Sequence, residues 1–264
     1  MFKEFYGFRE RPFGKTPDPR FLFPSAEHEE ALARLEYAIE ERDMAVLTGE
    51  IGSGKTTISR ALMDRNDNDH FILIVNPRLS PNQLLREIAK RLDIEPKHYR
   101  ADLLDDISTR FMEMNEEKKA VVLVVDEAQL IPGKNTFDEL RLLSNFQLDD
   151  CNLVSIILIG QPELRERLKH STYSALRQRI GMWYHLGNLN AEETSAYIKH
   201  RMKVAGGGRD IFSAEATRLI AEKTKGIPRL INSLATNSLL TGFQKEEKPI
   251  SAATVKEAAA EMVF

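Results

Sequence analysis

A glycine-rich stretch in the first quarter of the chain has the residue types and spacing that bind a phosphate group. It reads G-x-x-x-x-G-K-T, followed by one more threonine, and comprises Gly49, Glu50, Ile51, Gly52, Ser53, Gly54, Lys55, Thr56 and Thr57. The glycines let the backbone wrap around an anion, and a lysine at this position bridges the β- and γ-phosphate oxygens of a nucleotide. The hydroxyl of Thr56 is placed to ligate magnesium. We therefore predict that this stretch binds ATP together with Mg²⁺.

The residues on either side of the glycines support this prediction. An apolar run at residues 44–47 predicts a strand before the loop, and an amphipathic run at residues 58–63 predicts a helix after it. In that frame the free amide groups of the helix point at the phosphate. The alternative is a chance glycine turn that ends in Lys-Thr, which would not require a strand and a helix in these places.

A pair of acids follows another apolar run farther along the chain. Residues 121–125 are all valine or leucine, and Asp126 and Glu127 come directly after them. An aspartate at the tip of such a strand would complete the magnesium shell with Thr56. Glu127 is then placed to polarise the attacking water, which predicts a hydrolase and not a passive binder. An acidic turn after a core strand is the alternative.

Two amide side chains at predicted strand ends are further candidates. Gln161 follows the strand predicted at residues 153–159 and can orient the same water; an ordinary loop glutamine is the alternative. Asn76 ends the strand predicted at residues 71–75, and we expect it to hold Glu127 inactive until ATP binding is complete. Both predictions assume that parallel strands end at one edge of a sheet, where ligands bind.

Two segments contain arginines that could reach a nucleotide from farther away. The first, Leu-Arg-Gln-Arg-Ile-Gly at residues 176–181, places Arg177 and Arg179 just before the last apolar run of the predicted sheet. An arginine there would point into the ATP site of a neighbouring subunit and stabilise transition-state charge. The second, Gly-Ile-Pro-Arg at residues 226–229, starts a helix, so we expect Arg229 to reach back to the γ-phosphate and report nucleotide state. A surface ion pair is the alternative for each.

Strands and helices alternate up to about residue 188, and four helical segments then follow without a strand. This order predicts a parallel sheet between two helical layers, followed by a small helical lid. The first 25 residues mix aromatics with prolines, and we expect a non-helical arm that packs over the core, near the base of a bound nucleotide. The predicted fold is α/β: a three-layer αβα P-loop NTPase domain at residues 26–188, after an arm at residues 1–25 and before an all-α lid at residues 189–264.

The composition is that of an ordinary globular protein. Of the 264 residues, 42% are hydrophobic and 29% are charged, and no apolar run approaches the roughly 20 residues that span a bilayer. The single cysteine, Cys151, excludes an internal disulfide and, without a signal peptide, predicts a cytoplasmic protein. The net charge of −3 does not support DNA binding, and we expect basic clusters such as residues 199–203 to be solvated helix faces.

The order of these segments resembles the AAA+ ATPases over nearly the whole chain. Four segments are similar to the ExeA-type ATPases of the general secretion pathway, which are relatives of ATPases that regulate transposition: Arg-Pro-Phe at 11–13, Pro-Asp-Pro-Arg-Phe at 17–21, Asp-Glu-Ala-Gln at 126–129 and Ile-Gly-Gln-Pro-Glu-Leu at 159–164. The resemblance implies Mg-ATP hydrolysis, an ATP-dependent homo-oligomer in a ring or filament, and a protein partner from a secretion apparatus or a transposase. It also implies that Arg179, and not Arg177, is the arginine finger.

Secretion-pathway members typically continue into a transmembrane helix and a cell-wall-binding domain, whereas this sequence stops at Phe264, so it is either part of a longer protein or a free-standing relative. Two functions remain open. The first is an ATP-hydrolysing motor or switch that is active without a partner. The second is a nucleotide-gated scaffold, such as a DNA-binding regulator of a transposase, that hydrolyses slowly and only with its partner. A P-loop kinase is a third possibility, against which the helical lid with Gly-Ile-Pro-Arg argues.

Overall fold

The structure is a computed structural model that describes residues 2–14, 19–21, 23–149, 151–208 and 211–262; Pro17 and Asp18 of the predicted arm lie outside the described residues. Within these residues there are five β-strands and twelve α-helices. The strands are β1 Met44–Gly49, β2 His70–Ile74, β3 Val121–Val125, β4 Val154–Gly160 and β5 Ile180–Leu186. The helices are α1 Phe2–Tyr6, α2 Ala26–Glu40, α3 Lys55–Arg65, α4 Pro81–Arg91, α5 Arg100–Glu116, α6 Lys134–Leu143, α7 Pro162–Lys169, α8 Ser174–Arg177, α9 Ala191–Val204, α10 Ala214–Thr224, α11 Pro228–Gln244 and α12 Ala252–Ala260.

The five strands form one parallel sheet in the order β2-β3-β4-β1-β5. Strands β1, β3 and β4 are buried along their whole length, as continuous apolar runs require when helices cover both faces of a sheet. The register pairs Val124 of β3 with Ile157 of β4. Because parallel strands end at a common edge, the residues that follow β3 and β4 come together at the site described below.

The chain divides into two compact units. One contains Met1–His28, Glu50–Thr57 and Gly187–Phe264, and the other contains Glu29–Gly49 and Ile58–Leu186. We call them the helical unit and the sheet unit. Each has its own apolar core of buried side chains. The boundaries predicted at residues 25 and 188 stay a prediction, because the helical unit takes in both the N-terminal residues and the glycine-rich loop.

The N-terminal residues differ from the predicted non-helical arm. They contain helix α1 and a 3₁₀ turn at Pro19–Phe21. The helix forms because its i,i+4 pair, Phe2 and Tyr6, packs against the core of the helical unit, where Tyr6 is 1% exposed. The Tyr6 hydroxyl donates to the carbonyl oxygen of Glu247 at 3.2 Å. The prediction of an arm without helix was therefore wrong for residues 2–6.

A buried arginine on α9 holds the next part of this segment. The Arg201 guanidinium donates from Nε to the carbonyl of Pro12 at 2.7 Å and lies 4.5 Å from the ring centroid of Phe21. The expectation that residues 199–203 form a solvated face is thus wrong at Arg201, which is 8% exposed. Its charge is stabilised by carbonyl oxygens and an aromatic face.

The four predicted C-terminal helices are present as α9 to α12. Asn190 caps α9 in a capping box with Glu193, and Ser213 and Ser251 cap α10 and α12. Gly226 lies between α10 and α11 with a φ of +71°, where a Cβ would come within 1.7 Å of the Leu189 carbonyl oxygen. In the described part of the chain, no helix has both the length and the apolarity to cross a membrane.

Candidate nucleotide site

The glycine-rich loop, residues 49–56, adopts a conformation that depends on two of its glycines. Gly52 has a φ of +84° and Gly54 a φ of +110°, in a region that residues with a Cβ rarely adopt. The Ser53 amide donates to the carbonyl of Glu50 at 3.1 Å, which closes the turn. We call this segment the phosphate loop, because a glycine-rich turn of this kind can bind an anion through its backbone amides.

Helix α3 begins at Lys55, immediately after the loop. The Lys55 side chain is only 6% exposed, and its Nζ donates to the Glu50 carbonyl at 2.8 Å. The hydroxyl of Ser53 is buried and has no hydrogen-bond partner among the described residues. An unpaired buried donor, a buried ammonium group and a helix N-terminus are three features that a bound phosphate would satisfy. The residues present therefore fit a nucleotide.

Arg229 lies against the phosphate loop. Its backbone amide donates to the carbonyl oxygen of Gly52 at 3.1 Å. An ideal Cβ built on Gly52 would lie 2.4 Å from the Cβ of Arg229, so only glycine allows this approach. The arginine is exposed and occupies the first turn of α11, after Pro228 at the start of that helix. The sequence placed Arg229 near the nucleotide, and the structure brings it to the loop.

His28 is a second neighbour of the phosphate loop, and no sequence pattern indicated this position. The side chain is 6% exposed, and its Nδ1 lies 2.5 Å from the Oγ of Ser25, the residue before helix α2. Its Nε2 lies 3.0 Å from the place that a Cβ on Gly54 would occupy. A Cβ on Gly54 would therefore press on the His28 ring, and the φ of +110° already favours glycine at this position.

The predicted acidic pair, Asp126 and Glu127, lies directly after β3 in the sheet unit. Asp126 is 9% exposed; its amide continues the parallel ladder by donating to the Ile74 carbonyl at 2.9 Å. Its Oδ1 accepts the amide of Glu127 at 2.8 Å. Glu127 itself has a φ of 52° and a ψ of 37°, the left-handed region that is uncommon for a residue with a side chain. This backbone conformation directs the two carboxylates differently although they are adjacent in the chain.

Two glutamines hold the carboxylate of Glu127. Oε2 of Glu127 accepts from Nε2 of Gln129 at 2.5 Å and from Nε2 of Gln161 at 3.2 Å. The structure thus brings Gln161 to the acidic pair, as its position after β4 predicted. Gln129 was part of the Asp-Glu-Ala-Gln segment but had no predicted role.

Asn76 does not hold Glu127. Its side-chain oxygen accepts from the Arg78 amide at 3.4 Å, so it stabilises its own turn after β2. The expected restraint by Asn76 is therefore wrong, and the physical reason is local: the amide of an asparagine bonds readily to the backbone two residues on. The hydrogen bonds to Glu127 that were expected from Asn76 come from Gln129 and Gln161 instead.

The structure distinguishes the two arginines before β5. Arg177 donates to the backbone carbonyls of Lys169 at 2.7 Å and Leu168 at 3.4 Å, which ties it to the end of α7. Arg179 is exposed, and its guanidinium makes no hydrogen bond or ion pair within the described ranges. Of these two arginines, only Arg179 could contact a second molecule without loss of a hydrogen bond within the described residues.

Magnesium would depend on the nucleotide for most of its ligands. Among the described residues there is no group of three or more His, Cys, Asp or Glu side chains that could hold a metal ion. Mg²⁺ bound with a nucleotide commonly takes one or two carboxylates together with phosphate oxygens and water. One aspartate and one threonine hydroxyl are consistent with that mode of binding.

Comparison with known proteins adds a family to this geometry. Residues 38–168 match the family model of the AAA domain. The chain carries an AAA domain. This AAA protein is also 36% identical over 267 residues to General secretion pathway protein A of Aeromonas hydrophila, in an alignment that takes in 99% of this chain and 48% of that protein. The predicted resemblance to AAA+ ATPases of the ExeA type is confirmed, and the chain spans about half the length of that relative.

Solved structures share the fold of this AAA protein. The ORC2 protein of Aeropyrum pernix, in ADPNP and ADP complexes, has a TM-score of 0.72 at 18% identity and covers 96% of this chain and 72% of its own. The ORC1 protein of the same organism, in complex with DNA, has a TM-score of 0.68 at 18% identity, with 96% and 69% covered. At this identity the likeness shows the fold alone. It confirms the predicted class: a P-loop NTPase with a parallel sheet and a helical C-terminal region.

Proposed function

We propose that this AAA protein binds and hydrolyses Mg-ATP. The observation that carries the proposal is the carboxylate of Glu127, held by two glutamine amides one residue after a buried aspartate, in a chain with a complete phosphate loop. A passive nucleotide binder needs the loop but has no use for an oriented carboxylate of this kind. A carboxylate in this setting can accept the proton of the attacking water.

Each predicted residue has a role in the proposed reaction. Lys55 and the amides of the phosphate loop bind the phosphates. Thr56 and Asp126 would hold a magnesium ion, which would supply positive charge to the phosphates. Glu127 takes the proton of the water that Gln161 helps to orient. Arg229, next to Gly52, contacts the γ-phosphate and transmits nucleotide state to α11. These assignments agree with the loop and acid geometries described above and stay proposals.

We further propose that ATP drives self-association into a ring or filament. The exposed Arg179 would enter the ATP site of a neighbouring copy and stabilise transition-state charge there. The identity to General secretion pathway protein A supports a protein partner in a secretion apparatus. A cytoplasmic location is also part of the proposal and rests on the single cysteine. The alternative is a DNA-binding, nucleotide-gated regulator of a transposase. The DNA complex of the similarly folded ORC1 protein favours it, and the net charge of −3 does not.

Phosphate release from Mg-ATP tests the proposal directly. We expect the purified chain to release phosphate without any partner, and Lys55→Ala to lose both ATP binding and hydrolysis, because the main cation on the β- and γ-phosphates is gone. Exposed Lys90→Ala is the matched control and should behave as the parent. Hydrolysis that appears only on addition of DNA would favour the scaffold. If Lys55→Ala retained ATP affinity within a few-fold of the parent, the site itself would be misassigned.

A further inference from the structure

Gln129 connects Glu127, which follows the end of β3, to Gln161, which follows β4. It lies in the 3₁₀ turn Ala128–Leu130, two residues after Glu127. We infer that Gln129 is the positioning residue that fixes the direction of the Glu127 carboxylate for proton abstraction. This inference rests on the proposed hydrolysis of ATP.

Both ends of the Gln129 amide are engaged, so its orientation is determined. Nε2 donates to Oε2 of Glu127 at 2.5 Å, while Oε1 accepts the backbone amide of Gln161 at 3.1 Å. A rotation of the amide by half a turn would place its oxygen against a carboxylate and its NH₂ group against an N–H. Both contacts would be repulsive, and therefore only one orientation is stable.

The backbone and surroundings of Gln129 are fixed as well. Its carbonyl accepts from the Arg167 guanidinium at 3.2 Å, and the same nitrogen of Arg167 donates to the Ile131 carbonyl at 2.6 Å. An ideal Cβ on Gly160 would lie 2.8 Å from Gln129 Oε1, so a glycine at the end of β4 leaves the space that this side chain fills. The glutamine is thus held by the end of β4, by its own turn and by α7.

The two glutamine contacts restrain one oxygen of the Glu127 carboxylate and leave the other available. Both glutamine amides donate to Oε2, and within the described residues no donor reaches Oε1. Oε2 is the restrained oxygen and Oε1 keeps its lone pairs for a proton. Since the backbone of Glu127 is already left-handed, its side chain needs such support to keep one direction. Loss of the Gln129 contact would let the carboxylate turn and would leave Gln161 as its remaining glutamine donor.

If Gln129 instead held Glu127 inactive until ATP bound, loss of Gln129 would have the opposite effect on hydrolysis. In that case deletion of the Gln129 side chain would free Glu127 and raise hydrolysis. The rigid attachment of Gln129 argues for positioning, because a releasing residue must be able to move away. The direction of the change in kcat therefore separates the two.

The test compares Gln129→Ala and Gln129→Glu with the parent chain and with exposed Gln244→Ala as the matched control. Phosphate release gives kcat and KM, titration calorimetry gives ATP affinity, and circular dichroism confirms folding. We expect Gln129→Ala to lower kcat by roughly ten- to a hundred-fold, as a small misplacement of a reacting group does, with ATP affinity within about two-fold of the parent. The nearly isosteric Gln129→Glu replaces the amide donor with a second carboxylate, which repels the Glu127 carboxylate. Its kcat should then fall at least as far as that of Gln129→Ala, again with little change in ATP affinity.

The outcomes are distinguishable. If the parent chain releases no phosphate, the proposed function fails and the inference fails with it. If the parent turns over ATP and Gln129→Ala has the same kcat or a higher one, only the inference is overturned. A kcat for Gln129→Glu equal to that of the parent would also overturn it. A Gln129→Ala chain that does not fold leaves Gln129→Glu to decide.

Discussion

The backbone amide of Arg229 donates to the carbonyl oxygen of Gly52 at 3.1 Å, so the first turn of α11 contacts the phosphate loop directly. The two residues are far apart in the sequence and belong to the same helical unit. A nucleotide that moves the loop must move this contact or break it. The position of α11 is thereby linked to the loop without any need for a side-chain hydrogen bond from Arg229.

Gly52→Ala tests this relationship. The added methyl group would come within 2.4 Å of the Arg229 Cβ, and alanine at a φ of +84° adds strain of about 1–2 kcal/mol. We expect ATP affinity to fall roughly ten-fold or more, since 1.4 kcal/mol corresponds to a factor of ten. Isothermal titration with Mg-ATP is the measurement. Gly208→Ala, where a Cβ would meet no atom within 4 Å, is the control. Equal affinities for both variants would contradict the contact.

The phosphate loop could be predicted from sequence because its chemistry is local. Glycines, a lysine and a threonine at fixed spacing between a strand and a helix contain the whole argument. The partners of the glycines could not be predicted. His28 and Arg229 reach Gly54 and Gly52 from other segments of the helical unit, and no periodicity indicates which distant side chain fills the space above a glycine.

Glu127→Gln separates binding from hydrolysis. The amide keeps the shape of the side chain but cannot take a proton from water, so we expect ATP to bind as in the parent. Hydrolysis should be at least about a hundred-fold slower, the usual effect of a lost general base. Single-turnover phosphate release measures it. Exposed Glu116→Gln, near the end of α5, is the control. Turnover of Glu127→Gln at the parental rate would remove Glu127 as the base.

The acidic pair and Gln161 were predictable from strand ends, because parallel strands deliver their last residues to one edge. The role of Gln129 was not, since it depends on the left-handed backbone of Glu127 and on a short turn that returns the chain to β4. Asn76 was a candidate by the same argument from strand ends. Its own turn offered it a closer partner, the Arg78 amide.

Helix α1 at the N-terminus is another feature that the sequence did not predict. Five residues are too few for a helix to be stable alone, and the prolines that follow favoured an extended prediction. The helix exists because Tyr6 packs into the core of the helical unit. Tertiary packing decided the local structure here.

Tyr6→Phe makes this packing measurable through pH. Burial, and after it the nearby Glu247 carboxylate, raises the pKa of the Tyr6 hydroxyl to about 12. The ordinary value is about 10, so the neutral hydroxyl stabilises the folded state fully below about pH 10, and this contribution is lost as pH rises towards 12. We expect Tyr6→Phe to cost about 0.5–1.5 kcal/mol at pH 7, from the lost hydrogen bond. Its stability should then fall less steeply above about pH 10 than that of the parent.

Urea unfolding at neutral and alkaline pH provides these values. Tyr99→Phe is the matched control, because Tyr99 is 69% exposed. Parallel alkaline losses in the parent and in Tyr6→Phe would show that Tyr6 does not titrate with unfolding.

The exposed guanidinium of Arg179 predicts a composite site. Arg179→Ala should retain ATP binding and lose most hydrolysis, by roughly a thousand-fold if it acts as a finger. Arg177→Ala distinguishes the two arginines, because Arg177 is tied to the carbonyls of Leu168 and Lys169; loss of hydrolysis there instead would reverse the assignment.

Mixing two inactive chains tests action between subunits. Arg179→Ala retains an intact phosphate loop and Lys55→Ala retains an intact finger, so some interfaces in a mixture combine both functional halves. We expect the mixture to recover part of the parental phosphate release in the presence of Mg-ATP, while light scattering reports assembly. Co-assembly without any recovery would mean that Arg179 does not act in a neighbouring site.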